Sequence, residues 1–384
     1  MKIIEERARK VCGELEAAGI FRRISDSETR WKVNLASNDY LGVVHKGLLK
    51  PSLARSARLC ATGGSSSRLV FGTSMYHRLL EEKLASHFGY EAALVFTSGF
   101  MANYGLCSVL KELAEVVLID KRVHASVVDG LMQTMGGKAE VRSYKHNDVR
   151  HYSRLCSKHG AGETITVTES LFSMTGRLCD PDIIRRAAGH GFLVVDEAHS
   201  LGACRPGGTA VFGRAKGADI TIGTFGKAYG CAGGFILCSE SMRQFLVNRC
   251  RSFIFTTALP EVYAAVGIDA IDLVSGMDEE REKLADLARS LSNALQCEGF
   301  RSTGDAHIIA IYCRSAEAAV KISGMLRDAG IALYAVRPPT VPPQEILLRV
   351  SLNAFLEPED IDYFLDRLLE IRSAFPGCFS SRIT

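Results

Sequence analysis

Between about residues 75 and 240, short apolar runs alternate with helical stretches: AALVF, EVVLID, AEVRSY, TITVT, GFLVVD, ADITIG and GGFILC. Runs of this length predict strands. Their separation by helices predicts a mostly parallel sheet covered on both faces. Sheets of this kind place ligands beyond the carboxyl ends of their strands, so the loops after these runs are where chemistry is expected. Ahead of this region, residues 3 to 18 predict an amphipathic helix. The polar SDSETR and a strand-like WKVNLAS follow, ending at Asn38-Asp39-Tyr40 and completing an arm rather than a domain. Behind it, a long helical stretch over 262–296, including MDEEREKLADLARSLSNAL, predicts a connector. AHIIAIYC, a helix from Ala316 to Ala329, IALYAV, ILLRVSL and a final helix from Glu357 to Arg372 then form an α+β pattern. The expected fold class is α/β, with a mostly parallel central sheet and a smaller α+β C-terminal domain. The expected divisions are an arm over 1–45, a large domain over 46–280 and a small domain over 281–384.

Length supports that division, because 384 residues exceed one ordinary core and fit two packed units. Hydrophobic residues at 47% and charged residues at 23% match a globular protein and exclude disordered and fibrous classes. A net charge of +3, without a Lys/Arg block, leaves no electrostatic footprint for nucleic acid and points to a small-molecule partner. The opening MKIIEERARK carries charge where an apolar signal core would sit, and no apolar run reaches membrane-spanning length. No membrane association and a cytoplasmic location are therefore expected. The twelve cysteines are scattered without a CxxC pair, which suits reduced, mostly buried thiols. Cys231 and Cys238 do not by themselves make a zinc site, and no metal is expected.

Two segments carry the candidate chemistry. GFLVVDEAHSLG delivers Asp196 to the end of a buried strand, with His199 three residues later, so both side chains can converge on one ligand. DEAH is also a magnesium-binding box of helicases, but those need a GxxxxGK phosphate loop, which this chain lacks. ADITIGTFGKAYGCAGGF places Lys227 after a strand among Gly226, Gly230, Gly233 and Gly234, leaving space for a flat ring against the backbone. A lysine in a glycine loop is ordinary by itself; beside Asp196 it suggests a Schiff-base amine. Pyridoxal phosphate needs an aldehyde anchor, an acid at the pyridine nitrogen, a stacking partner and a phosphate cradle. Lys227 and Asp196 are candidates for the first two. His124, in the loop after EVVLID, is a candidate to lie flat on the ring. Ser98-Gly99-Phe100 follows AALVF and opens a helix whose free amides suit a phosphate.

Taken in order, these residues resemble the α-oxoamine synthase family of fold-type I pyridoxal-phosphate transferases. The resemblance runs nearly end to end, through SNDYLG at 37, HRLLEEKLA at 77, SGF at 98, HAS at 124, ESLFSMTG at 169, DEAHSLG at 196 and TFGKAYG at 224. The family joins an amino acid to an acyl thioester and releases carbon dioxide. It implies that Lys227 anchors the cofactor and shuttles a proton, that Asp196 pairs the pyridine nitrogen and that His124 stacks. It also implies that His199 and Ser173 contact the ring hydroxyl, that Thr224 lies near the phosphate, and that Asn38 and Arg349 hold the substrate carboxylate. Thr256 and Thr257, in SFIFTTALP, resemble a pair that reaches the neighbouring subunit's phosphate, implying a homodimer with shared sites. Arg22 resembles an arm residue facing the acyl chain. Arg337-Pro338-Pro339-Thr340-Val341-Pro342, followed by LLRVSLNA, resembles the member that uses L-alanine and a pimeloyl thioester. A member acting on glycine and acetyl-CoA stays open, as does a catalytically silent binding subunit. The chain departs from the family at ATGGSSSR, where Ala61, Ser65 and Ser66 stand at frequent glycine positions; this bears on the acyl carrier more than on the cofactor.

Overall fold

The computed structural model describes residues 2–22, 24, 31–133 and 137–380. Thirteen strands occur among the described residues: β1 (Val33–Asn34), β2 (Ala92–Phe96), β3 (Val116–Asp120), β4 (Glu140–Tyr144), β5 (Thr164–Glu169), β6 (Phe192–Asp196), β7 (Ile220–Thr224), β8 (Gly234–Cys238), β9 (Ser302–Thr303), β10 (Ile308–Tyr312), β11 (Ile331–Ala332), β12 (Tyr334–Val336) and β13 (Leu347–Ser351). The chain divides into two compact units. One is 38–173 with 177–283, and the other gathers 1–37, 174–176 and 284–384. The first 37 residues thus group with the C-terminal segment by compactness.

The larger unit is built on a seven-stranded sheet in the order β2-β8-β7-β6-β5-β3-β4. β8 runs antiparallel to both β2 and β7, while the pairs from β7 through to β4 are parallel. The apolar runs form this sheet because it is buried on both faces. Ile165, Val167, Val194, Ile220 and Ile222 pack on one side; Val116, Leu118, Leu193 and Val195 pack on the other. β4 is one of the two edge strands, and its Glu140, Val141, Arg142 and Ser143 are exposed, as suits an edge facing water. Helices start where the sequence offers a cap: Ser74 accepts from the His77 amide, Ser98 from Met101 and Asp180 from Asp182.

The second unit holds a four-stranded antiparallel sheet, β12-β13-β10-β9, and a parallel pair of β1 with β11. IALYAV, which reads as one strand, becomes two short ones: Ile331–Ala332 pairs with β1, and Tyr334–Val336 with β13. The stretch over 262–296 likewise forms two helices, Glu261–Ser275 and Asp278–Cys297, with Gly276 capping the first. Within this unit the arm is tied to the proline segment by reciprocal contacts. Arg22 Nη2 donates to Thr340 Oγ1 at 2.9 Å, and Arg337 Nη2 donates to the Phe21 carbonyl at 2.9 Å.

Candidate active site

Parallel pairing brings the chemistry together at one end of the larger unit's sheet. Glu169 closes β5 and stands in register with Asp196, which closes β6; Asp196 in turn pairs with Ile222 of β7. Thr224 ends β7, and Lys227 follows in the loop. A cavity of about 160 Å³ lies beyond these strand ends. Seven residues singled out from sequence line it: Gly99, Phe100, His124, Asp196, His199, Thr224 and Lys227. Asn103, Glu169, Ala198 and Ile222 complete its wall. A larger cavity, about 1000 Å³, lies in the other unit and includes Arg22, Trp31 and Arg337, but it has no pairing of a lysine with a carboxylate. Chemistry, not size, therefore selects the smaller one.

Asp196 is only 5% exposed, and both its oxygens accept hydrogen bonds. Asn103 Nδ2 donates to Oδ2 at 2.6 Å, and the Ala198 amide donates to Oδ1 at 2.9 Å. His124 caps the helix Ala125–Leu131 and uses Nδ1 toward Ser126, accepting from its amide at 3.2 Å with its hydroxyl at 2.7 Å. That leaves Nε2 to carry the proton of the neutral ring. Burial lowers the His124 pKa, the Asp196 charge raises it and Lys227 lowers it again, and the net shift is downward. A neutral imidazole stacks on an aromatic ring without charge repulsion. His199 Nδ1 lies 2.6 Å from the Tyr40 hydroxyl, which also donates to Asn38 Oδ1 at 3.1 Å, so Asn38 is linked to the cavity through Tyr40.

Opposite the acids, the helix Gly99–Leu110 begins with Ser98 as its cap. Its first amides are unpaired within the helix, as an anion requires. Thr224 packs here; a side chain on Gly99 would meet its Cβ at 3.1 Å. Two of the glycines around Lys227 are required by close packing. A Cβ on Gly234 would sit 2.4 Å from the Gly99 amide nitrogen, and Gly230 has φ 59° with Val43 only 2.6 Å from where a Cβ would be. Gly234 lets the β7–β8 corner pack against the helix start, and Gly230 lets it pack against Val43.

Several predicted residues lie outside the cavity wall. Ser98 is the helix cap, and Ser173 is buried, with its amide donating to Glu169 Oε2 at 3.2 Å. Thr256 is half-buried; Thr257 is exposed and bridges to Ser67. Arg349, 6% exposed at the centre of β13, and Arg22 belong to the other unit. Asn103 and Glu169 are the residues that sequence reasoning missed. Asn103 sits four positions after Gly99, one helical turn into the helix, and Glu169 opens the ESLFSMTG segment. That spacing was the available signal for the first; for the second it was an acid ending an apolar strand.

A model of the family described as "Aminotransferase class I and II" matches residues 30–368. The chain belongs to this family. It is 36% identical to 8-amino-7-oxononanoate synthase of Geobacter sulfurreducens, over 92% of this chain and 95% of the relative. It is 38% identical to the enzyme of that name from Chlorobaculum parvum, over 89% and 90%. Among solved structures it resembles serine palmitoyltransferase from S. paucimobilis with bound PLP and myriocin, at a TM-score of 0.88 and 27% identity, covering 98% of this chain and 100% of that one. The protein is a fold-type I, pyridoxal-phosphate-dependent acyltransferase of the α-oxoamine synthase type. Its cavity fits that cofactor by its donor set: a clamped carboxylate, a lysine, a histidine and a helix start line one cavity. No described helix is long and apolar enough to cross a membrane.

Proposed function

We propose that this class I and II aminotransferase family member condenses L-alanine with a pimeloyl thioester, the acyl group carried by coenzyme A or a carrier protein, and so serves biotin formation. The products are 8-amino-7-oxononanoate, carbon dioxide and the free thiol. The observation that carries the reading is the placement of Lys227 and clamped Asp196 in one cavity, in a chain whose relatives at 36% and 38% identity bear that enzyme's name. When bound, pyridoxal phosphate supplies an electron sink for the substrate α-carbon.

The chain's own residues supply the rest. Lys227 Nζ would hold the cofactor, and the same amine would take a proton from the substrate α-carbon and return one. Asp196 would pair with the ring nitrogen, and Asn103 and the Ala198 amide fix the orientation of its carboxylate. His124 would cover the ring face. His199 and Ser173 would serve the ring hydroxyl, while Ser98, Gly99, Phe100 and Thr224 would serve the phosphate. Thr256 and Thr257 are assigned to the phosphate of a second copy in a homodimer with shared sites. Asn38 and Arg349 are assigned the substrate carboxylate, which a guanidinium grips in bidentate fashion. Arg22 is assigned the acyl chain. The assignments of Asn38, Arg349, Thr256 and Thr257 rest on the family-like segments that contain them, and a cytoplasmic setting is part of the same proposal.

A second reading has an observation behind it, since solved relatives include serine palmitoyltransferases covering nearly the whole chain. The test is a matrix of alanine, glycine and serine against pimeloyl, acetyl and palmitoyl thioesters, read by thiol release. Release with alanine and the pimeloyl thioester is expected. Release with serine and the palmitoyl thioester alone would transfer the assignment to the second reading, and release with glycine and acetyl-CoA alone would place it with a third member.

A further inference from the structure

Glu169 has no role in the mechanism above, yet it lines the same cavity as Lys227 and Asp196. It is 2% exposed. Its Oε2 accepts the Ser173 amide at 3.2 Å, and its Oε1 has no hydrogen-bond partner. Register on adjacent parallel strands places it directly beside Asp196. Two carboxylates so placed in a buried wall cannot both carry charge cheaply, and the better-solvated member ionises first. Asp196 receives two donors, one from the Asn103 side chain and one from a backbone amide, whereas Glu169 receives one.

We propose that Glu169 is a positioning residue kept un-ionised in the cavity wall, so that the pair with Asp196 carries one negative charge and the free Glu169 oxygen donates a hydrogen bond into the cavity. The inference rests on the cofactor reading but not on the choice of amino acid or thioester. A neutral Glu169 leaves Asp196 as the sole anion facing the ring nitrogen, while its Oε2 fixes the amide of Ser173. Other groups act on it from every side: burial and the charges of Asp196 and Asp120 raise its pKa, while Lys227 and the Ser173 amide lower it, and the balance lies well above the ordinary carboxylate range. His124 and His199 share the cavity, and His124 is neutral there.

The test uses the whole protein loaded with pyridoxal phosphate and reads the cofactor's visible absorption as pH is varied across the neutral range. Glu169→Gln keeps both an acceptor and a donor without charge. If Glu169 is already neutral, the midpoint of the colour change in Glu169→Gln stays within about 0.3 unit of wild type. A fall of about one unit or more would show that an ionised Glu169 had been stabilising the protonated lysine–cofactor bond, and would overturn the proposal. Glu169→Leu removes the donor and the acceptor for Ser173, and cofactor affinity should weaken about tenfold, with Glu169→Gln restoring it. Unchanged affinity in Glu169→Leu, with thermal unfolding of the cofactor-free protein equal to wild type, would equally overturn the positioning role. If Glu169→Leu proves too unstable to load, Glu169→Gln still decides the charge state. Wild-type protein that colours normally but releases no thiol from any thioester would sink the substrate assignment and leave Glu169 where it is.

Discussion

Two glutamates, Glu169 at the end of β5 and Glu197 just after β6, are buried to the same degree and treated oppositely. Glu197 is fully buried, and both its oxygens are engaged: Oε2 accepts from Ser200 at 2.5 Å and from the Val211 amide at 2.9 Å, and Oε1 accepts from the Phe212 amide at 2.6 Å. It pins the 209–212 loop against the strand end. Glu169 receives one amide and leaves an oxygen bare beside another acid. Burial raises both pKa values, but hydrogen bonds oppose it at several points in Glu197, whereas the neighbouring Asp196 charge reinforces it in Glu169. A scaffold acid has its polar atoms satisfied by its own chain; an acid in a binding cavity leaves capacity for a ligand.

That contrast is broken most forcefully from the cavity side. Lys227→Ala should lower turnover by about a thousandfold or more, because the anchor and the proton carrier are the same amine. Thermal unfolding of the cofactor-free protein should hardly move; a large loss of stability would mean that the lysine is scaffold. Glu197→Ala should do the reverse, costing about 3 kcal/mol of unfolding free energy by orphaning the buried Val211 and Phe212 amides, as denaturant titration can measure. Asp196→Asn should leave the fold intact and reduce turnover by about a hundredfold, since the ring nitrogen loses its anion. Equal activity in that variant would remove Asp196 from the mechanism.

The smallest effect is a pH slope. Glu169 has a folded pKa above its unfolded value, so the native state holds a proton that the unfolded chain has already released. Its contribution to stability is full below the ordinary glutamate value and is lost as pH rises toward the folded one. The loss is at most about 1.4 kcal/mol per pH unit for one such group. Wild type should therefore lose stability relative to Glu169→Gln as pH rises over that window, seen in paired denaturant titrations of the cofactor-free proteins. Parallel curves would show Glu169 ionised in the folded protein as it is in the unfolded chain, and would overturn its neutral state.

Much of the cavity was legible because its residues sit in short segments at strand ends. A buried apolar run followed by Asp196, and a strand followed by Lys227, announce themselves through local order. Asn103 was hidden because its partner lies 93 residues away, and Glu169 because an acid at a strand end gains its meaning only from the neighbouring strand. For Gly234 the structure adds a cause that the sequence did not show, the backbone approach of Gly99.

The amino-acid sequence by itself determined the alternation of strands and helices, the mostly parallel sheet and the lysine that lines the cavity. These depend on apolar periodicity and on contiguous motifs, which are local properties of the chain. Tertiary structure alone decided that IALYAV is divided between two sheets, that Tyr40 joins Asn38 to His199, and that Glu169 stands beside Asp196. Pairing register and burial are properties of residues distant in the chain, and they determine which acid carries the charge.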